Sequence, residues 1–188
     1  MSQPSSPLRD ALIEAGIALL NEDGPEGLTL RRAATRAGVS HAAPAHHFAG
    51  LAGLQTAIAT RAFALFSDAM ERRQRAAPPE ALARLQAICA GYLEFASRHG
   101  GLFHLMFNTA DVDRCDPDLM AQSTRAYGIL RDACLPFSGG QPDPVLEAAV
   151  WSAVHGYAAL GLDAPRDQAG GEPPPPFDSV LKRLLQRP

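Results

Sequence analysis

Residues 28–48 read LTLRRAATRAGVSHAAPAHHF and carry the signals of two short helices joined by a tight turn. Thr29 can cap the first of these helices and Gly38 can end it, and Ser40 can cap a second one that ends near Phe48. Two short helices meeting at such a turn have the spacing of a helix-turn-helix. The stretch therefore predicts an N-terminal helical domain whose second short helix can enter a nucleic-acid groove.

The same region is positively charged within an acidic chain. Residues 27–67 hold four arginines, three of the six histidines and no Asp or Glu, which gives a formal charge of +4. Residues 1–26 hold one arginine and five acidic residues, and the whole chain has a net charge of -3. Such a local reversal of sign indicates a polyanionic partner. Because four arginines are few, we expect weak DNA binding by a single copy and tighter binding by a dimer.

The remainder of the chain also has the pattern of helices. Ser6-Pro7 starts a first helix that ends near Asp23-Gly24, and a long helix that includes Leu54 ends at the break Ala76-Ala77-Pro78-Pro79. Further helices are predicted at about 80–98, 101–108, 117–135, 143–162 and 177–187. In both Asp116-Pro117 and Asp143-Pro144, an acidic N-cap precedes a proline in the first turn of a helix. Residues 163–176 predict an exposed loop.

These signals predict an all-α protein with two domains. We expect a three-helix helix-turn-helix DNA-binding domain over residues 1–60. A second α-helical domain follows over residues 61–188.

Several other classes of protein are disfavoured. Three cysteines without CxxC spacing indicate neither a disulfide framework nor a zinc site and fit a reducing cytoplasm. The most apolar stretch, residues 146–162, is interrupted by charge and is shorter than a membrane span. The acidic run at 111–118 lacks the glycine and distal Glu of a calcium loop, and there is no GxGxxG or P-loop. We therefore expect no enzyme activity, no cofactor and no metal.

The sequence resembles the TetR/AcrR family of bacterial transcriptional regulators. The N-terminal likeness covers about residues 8–60 and includes the stretch quoted above. Farther along, residues 151–156 read WSAVHG and resemble the Trp-x-x-x-His-Gly signature of one branch of that family, and GLFHLMF at 101–107 resembles a short helix of the same branch. The resemblance implies a homodimeric repressor that binds a palindromic operator on double-stranded DNA and is released by a small-molecule effector. It also implies that residues 61–188 form an α-helical ligand-binding and dimerisation domain.

The same resemblance implies which residues face DNA. They are Thr29, Arg31, Arg32, Ser40, His41, Ala42, Ala45, His46 and His47. Of the arginines, Arg31 is the strongest candidate, since Arg32 and Arg36 can also be part of a solvated face. The chain departs from the family at Ala45, where an aromatic residue is usual, and at Leu51, where a lysine is usual. Both departures remove phosphate contacts, which His46 can replace in part by hydrogen bonding.

Aromatic residues concentrate in the C-terminal domain. Trp151 and His155 are four residues apart on one helical face, and Gly156 beside them permits close approach of another backbone. Each aromatic residue can be either ordinary core or the wall of a pocket, and such a pocket suits a small, mostly apolar or aromatic effector. The candidate effector residues are Tyr92, Phe95, Phe103, His104, Phe107, Tyr127, Trp151 and His155.

A helix-on-helix dimer seam is predicted from apolar residues of the last two helices. These are Val150, Val154, Leu160, Leu181, Leu184 and Leu185. The departures at positions 45 and 51 leave an alternative open, in which the chain is a dimeric small-molecule-binding protein with a degenerate DNA-binding domain. Salt-sensitive affinity for an operator separates the two functions.

Overall fold

A computed structural model describes residues 6–163 and 173–186 of the chain. Within those residues the secondary structure is helical throughout, which confirms the all-α prediction. The α-helices are α1 (Pro7–Asp23), α2 (Leu30–Arg36), α3 (Gly50–Ala76), α4 (Ala81–Arg98), α5 (Gly100–Asn108), α6 (Pro117–Cys134), α7 (Pro144–Ala159) and α8 (Phe177–Leu185). None of these described helices is long and apolar enough to cross a membrane.

Several helices begin where the sequence places polar N-caps. The Thr29 hydroxyl accepts a hydrogen bond of 3.1 Å from the Arg32 N–H at the start of α2. Asp143 accepts bonds from two backbone N–H groups of α7, and Asp116 does the same for α6. Gly38 ends α2 with a φ of +70°, a backbone conformation that glycine adopts without strain. The predicted caps at Thr29, Asp116 and Asp143 and the predicted stop at Gly38 are thus confirmed.

The prediction of a third helix that starts at a Ser40 cap is wrong. Residues 40–48 form turns around a 3-10 helix at Ala43–His46 that no side chain caps. In an α-helix capped at Ser40, the nitrogen of Pro44 would have to donate to the Ser40 carbonyl, but proline has no N–H and its ring collides with that carbonyl. The backbone forms shorter-range bonds instead, including 3.0 Å from the Ala43 N–H to the Ser40 oxygen.

The chain separates into two compact units, of which the first comprises Met1–Leu65 and His99–Arg125. Here α1 packs against α2 and α5. Phe48 is 7% exposed, and the Arg9 guanidinium of α1 lies 5.4 Å from its ring centroid, so Phe48 anchors the segment after α2 to the first helix. The largest fully buried side chains of this unit are Leu12, Leu20, Leu54, Ile58, Leu102 and Met106.

The second unit comprises Phe66–Arg98 and Ala126–Pro188. Helix α7 packs between α4 and α8 in this unit. At Gly91 of α4, an added Cβ would lie 2.8 Å from the Ala69 carbonyl oxygen of α3, so only glycine permits this close approach. The largest fully buried side chains of the unit are Phe66, Met70, Leu85, Ile88, Tyr92 and Leu130.

Two predictions of chain organisation are not settled by this architecture. Helix α3 continues through residue 60, and the assignment of residues 1–60 to DNA binding and 61–188 to ligand binding and dimerisation stays a prediction. The predicted loop at 163–176 falls mainly on residues 164–172, which lie outside the described residues.

Candidate functional site

The segment after α2 presents its polar side chains to solvent. We call residues 40–47 the reading segment. Pro44 is buried within it, whereas Ser40, His41, Ala42, Ala45 and His46 are exposed, and His47 is half-buried. Pro44 within the segment and Phe48 directly after it are both buried, so they anchor the backbone that carries these exposed side chains.

The arginines of α2 differ in their surroundings. Arg32 forms an ion pair with Asp23, and Arg36 forms one with Glu22 at 2.5 Å. The hydrogen bond between Arg36 and Glu22 lowers the pKa of the carboxyl and raises the pKa of the guanidinium. Among the described residues, Arg31 forms no ion pair, and its side chain is exposed. Arg31 is therefore the cation of α2 best able to approach an added anion.

One residue of the reading segment is tied to α2 by a side-chain hydrogen bond. The Nε2 atom of His41 lies 3.2 Å from the Thr35 Oγ1. The same Thr35 hydroxyl is 3.0 Å from the Arg31 carbonyl oxygen, to which it donates. These two bonds orient the His41 ring relative to α2.

In the second unit, five of the eight candidate effector residues occur together with a polar pair at their centre. The hydroxyl of buried Tyr92 lies 2.7 Å from Nδ1 of His155. The Tyr92 ring centroid is 5.8 Å from that of Trp151, which is also 5.8 Å from that of Tyr127. Phe95 is buried beside Phe66. Burial raises the pKa of Tyr92 and lowers the pKa of His155, so both side chains favour their neutral forms.

A buried carboxylate adjoins this cluster and was not nominated from the sequence. Glu147 of α7 is 3% exposed and accepts a hydrogen bond of 2.5 Å from the Tyr127 hydroxyl. Its other oxygen accepts a bond of 3.1 Å from the Asp143 N–H. The bond to Glu147 raises the pKa of Tyr127. A charged residue within an otherwise apolar helix was the available signal, since buried acids require partners.

The other three candidate effector residues belong to the first unit. Phe107 packs between Phe103, with centroids 5.0 Å apart, and Phe63, with centroids 5.6 Å apart. His104 is exposed to solvent. The structure therefore assigns Phe103, His104 and Phe107 to a different compact unit from the aromatic cluster around Trp151.

The first unit also contains a cavity that the sequence did not indicate. Its volume is about 560 Å³, and α1, α3 and residues 113–122 form its walls. Five carboxylates and two arginines line it. One of the two arginines, Arg61, forms an ion pair with Glu14 at 3.0 Å. None of the eight candidate effector residues lies in its lining. The acidic residues that line the cavity come from segments far apart in the chain, so no local sequence pattern indicates the cavity.

The structure narrows the predicted dimer seam. Val150, Val154 and Leu181 are fully buried within the second unit, and so they cannot contact another chain as predicted. Leu160 is 70% exposed, and Leu184 and Leu185 are half-buried. These three residues are the part of the predicted seam that remains accessible.

Gly156 was expected to permit close approach of another backbone, and within the described residues it does not. A Cβ added to Gly156 would meet nothing within 4 Å. The glycine follows His155 directly, and the position that a Cβ would occupy there is open among the described residues. Packing within the described part of the unit does not require its small size.

Comparison with known proteins identifies relatives of the chain. The family profile of the Tetracyclin repressor-like, C-terminal domain matches residues 85–186. Rv0681 of Mycobacterium tuberculosis, an uncharacterized HTH-type transcriptional regulator, is 25% identical over 170 residues, which cover 89% of this chain and 76% of the relative.

Solved structures have the same fold. A protein with unknown function from Rhodococcus sp. RHA1 is 27% identical, with a TM-score of 0.75 over 98% of this chain and 95% of that one. The multidrug binding protein EbrR, whose structure contains imidazole, is 21% identical, with a TM-score of 0.66 over 98% of both chains. The two structures thus match nearly the full length of the chain.

Proposed function

Since the chain belongs to the TetR family of ligand-responsive transcriptional regulators, we propose that it is a repressor that binds a palindromic operator as a homodimer and leaves it when a small molecule binds. Regulators of this family act by binding and release, and they are not enzymes. The observation that carries the proposal is the exposed reading segment beside an exposed, unpaired Arg31 within the described part of the chain.

DNA contact takes place through α2 and the reading segment. Arg31 and the α2 N-terminus at Thr29 bind phosphates, which position the protein without reading sequence. Ser40, His41 and Ala42 meet base edges in the major groove, while His46 and His47 lie toward the backbone. Arg32 contributes less to phosphate binding, because its charge is already paired with that of Asp23.

The dimer forms through the exposed end of α7 and the C-terminal half of α8. Leu160, Leu184 and Leu185 are apolar side chains with accessible surface in the described chain. The open side of α7 at Gly156 lets a second helix come close. Two reading segments related by a two-fold axis then match half-sites that lie roughly 34–36 Å apart on one face of B-DNA.

The effector binds at the aromatic cluster around Trp151. Trp151 is half-buried and Tyr127 is exposed, so both rings offer surface to a small, mostly apolar or aromatic molecule. The polar groups of Tyr92, His155 and Glu147 orient the bound effector. The structure of EbrR, a protein of the same fold, contains imidazole, which supports a small-molecule effector for this fold. To release DNA, the effector must bind the DNA-incompetent state more tightly than the competent one.

The test is selection of random double-stranded DNA by the purified protein, followed by sequencing of the bound fraction. We expect enrichment of a palindrome, and a loss of affinity with rising salt that is shallower for Arg31→Ala than for the native chain. The matched control is Arg131→Ala, since Arg131 is an exposed arginine of α6 that pairs with Asp132. The control variant should bind the palindrome as the native protein does.

Enrichment without dyad symmetry would contradict the dimeric operator. An Arg131→Ala variant as weak as Arg31→Ala would contradict the assignment of Arg31 to the DNA surface. Effector binding is followed separately through the fluorescence of Trp151, the single tryptophan of the chain. An effector that quenches this fluorescence and lowers operator affinity supports repression with release.

A second candidate function is a dimeric small-molecule-binding protein with a degenerate DNA-binding domain. The observations that favour it are the ion pairs of Arg32 and Arg36 and the small exposed side chain of Ala45. This function predicts weak, sequence-indifferent DNA binding at every salt concentration, with effector binding intact. The same selection experiment therefore separates the two.

A further inference from the structure

The hydrogen bonds around Thr35 favour one of the two neutral tautomers of His41. A threonine hydroxyl has one hydrogen to donate and two lone pairs to accept with. The Thr35 hydrogen is directed to the Arg31 carbonyl oxygen, 3.0 Å away. The contact of 3.2 Å between Thr35 Oγ1 and His41 Nε2 can then be a hydrogen bond only if Nε2 donates. In the neutral ring this leaves Nδ1 without a hydrogen, as an acceptor.

Thr35 is held in place by its helix. Helix α2 is capped by Thr29 at one end and closed at the other by Gly38, and the Val39 N–H bonds the Ala34 carbonyl oxygen at 3.0 Å. The backbone that carries His41 is anchored downstream by buried Pro44. His41 itself is exposed, so its ring is oriented by Thr35 while its remaining surface faces solvent.

In the major groove, a hydrogen-bond acceptor selects among base edges by their donors. Adenine presents its N6 amino group and cytosine its N4 amino group, whereas guanine O6 and thymine O4 are acceptors. A lone pair on Nδ1 is attracted to the amino groups and repelled by the carbonyl oxygens. Each base pair contains one amino base, so this contact distinguishes the two strands at the position it reads.

We propose that Thr35 and His41 act as a pair that reads an amino base, adenine or cytosine, on one strand at one position of each half-site. The inference rests on the proposed operator binding and adds a specificity to it. His41 makes the base contact, and Thr35 is a positioning residue that acts through His41. Guanine and thymine are disfavoured on that strand.

The first experiment measures the tautomer without DNA. Nitrogen-15 NMR of the full chain at about pH 8, where neutral imidazole predominates, distinguishes a ring protonated at Nε2 from one protonated at Nδ1. We expect the Nε2-protonated form of His41 in the native chain and in Thr35→Ser, which keeps the hydroxyl. A His41 ring protonated mainly at Nδ1 would overturn the proposal whatever the protein binds.

The second experiment measures the base preference at about pH 8 with the selected operator. The position to test is the adenine or cytosine of the operator at which His41→Ala loses the base preference of the native chain. There, adenine is replaced by unsubstituted purine, or cytosine by 2-pyrimidinone, so that only the amino group is lost. We expect a loss of affinity of roughly tenfold for the native chain, as for one hydrogen bond. Thr35→Ser should keep this loss, and Thr35→Val should reduce it to about twofold or less.

The outcomes distinguish this inference from the function on which it rests. A palindrome bound with equal affinity with and without the amino group would overturn the inference and leave operator binding intact. A preference unchanged in Thr35→Val would overturn the positioning role. Failure to enrich any sequence would overturn both proposals, although the NMR measurement would still report the tautomer.

Discussion

The Tyr127 hydroxyl donates a 2.5 Å hydrogen bond to Glu147, a carboxylate that is only 3% exposed. The bond joins α6 to α7 within the second unit, beside the aromatic cluster that contains Trp151. Glu147 also accepts from the Asp143 N–H at the start of its own helix, and Asp143 in turn caps that helix. One buried acid thus connects the N-terminus of α7 to the aromatic cluster.

The Tyr127→Phe variant should be less stable than the native chain by about 1 kcal/mol, because a buried carboxylate loses a partner. Urea unfolding followed by circular dichroism measures the change. In a Glu147→Leu background the same tyrosine substitution should have almost no effect, because the acceptor is already gone. Equal effects in both backgrounds would show that the Tyr127 hydroxyl stabilises the chain independently of Glu147.

Acidification should weaken the fold through His155. Burial lowers the pKa of His155 below its ordinary value of 6.5, so the unfolded chain binds the proton more readily than the folded one. The contribution of His155 is complete above the unfolded pKa and is lost as pH falls through the folded pKa. Between pH 7.5 and 5.5, the urea midpoint of the native chain should fall more than that of His155→Gln. His104→Gln, which changes an exposed histidine, should follow the native chain.

Gly91→Ala should destabilise the chain by roughly 1–3 kcal/mol, since the new methyl group meets the Ala69 carbonyl and the Met70 backbone. Thermal and urea unfolding of the variant provide the measurement. Gly128→Ala is the matched control in α6, where the nearest atom to an added Cβ is the flexible Arg131 side chain at 4.0 Å. The control should be neutral or gain up to about 1 kcal/mol in helix propensity. A stable Gly91→Ala chain would refute the close approach of α4 to α3.

Leu160→Glu should raise the dimer dissociation constant about tenfold or more, because the proposed seam would bury an unpaired charge. Sedimentation velocity over a range of protein concentrations measures the dissociation constant. Met120→Glu places the same charge at a residue of α6 that is 52% exposed and outside the proposed seam, and it should leave the dimer unchanged. If the two variants associate equally well, the seam lies elsewhere.

The sequence by itself determined the all-α fold, most of the helix ends and the family. Thr29, Gly38 and Asp143 act on backbone groups within a few residues of themselves, so their effects can be read locally. The 3-10 helix in the reading segment is also a local effect, and Pro44 was the signal that the prediction passed over.

Tertiary structure alone decided which of those residues are available to act. Arg36 pairs with Glu22 fourteen residues away, and Tyr92 meets His155 across sixty-three residues. Val150 and Leu160 have the same apolar character and the same helical pattern, yet packing against α4 and α8 buries the first and leaves the second exposed. Charge pairing and burial depend on distances between helices, and the periodicity of one helix carries no information about what packs against it.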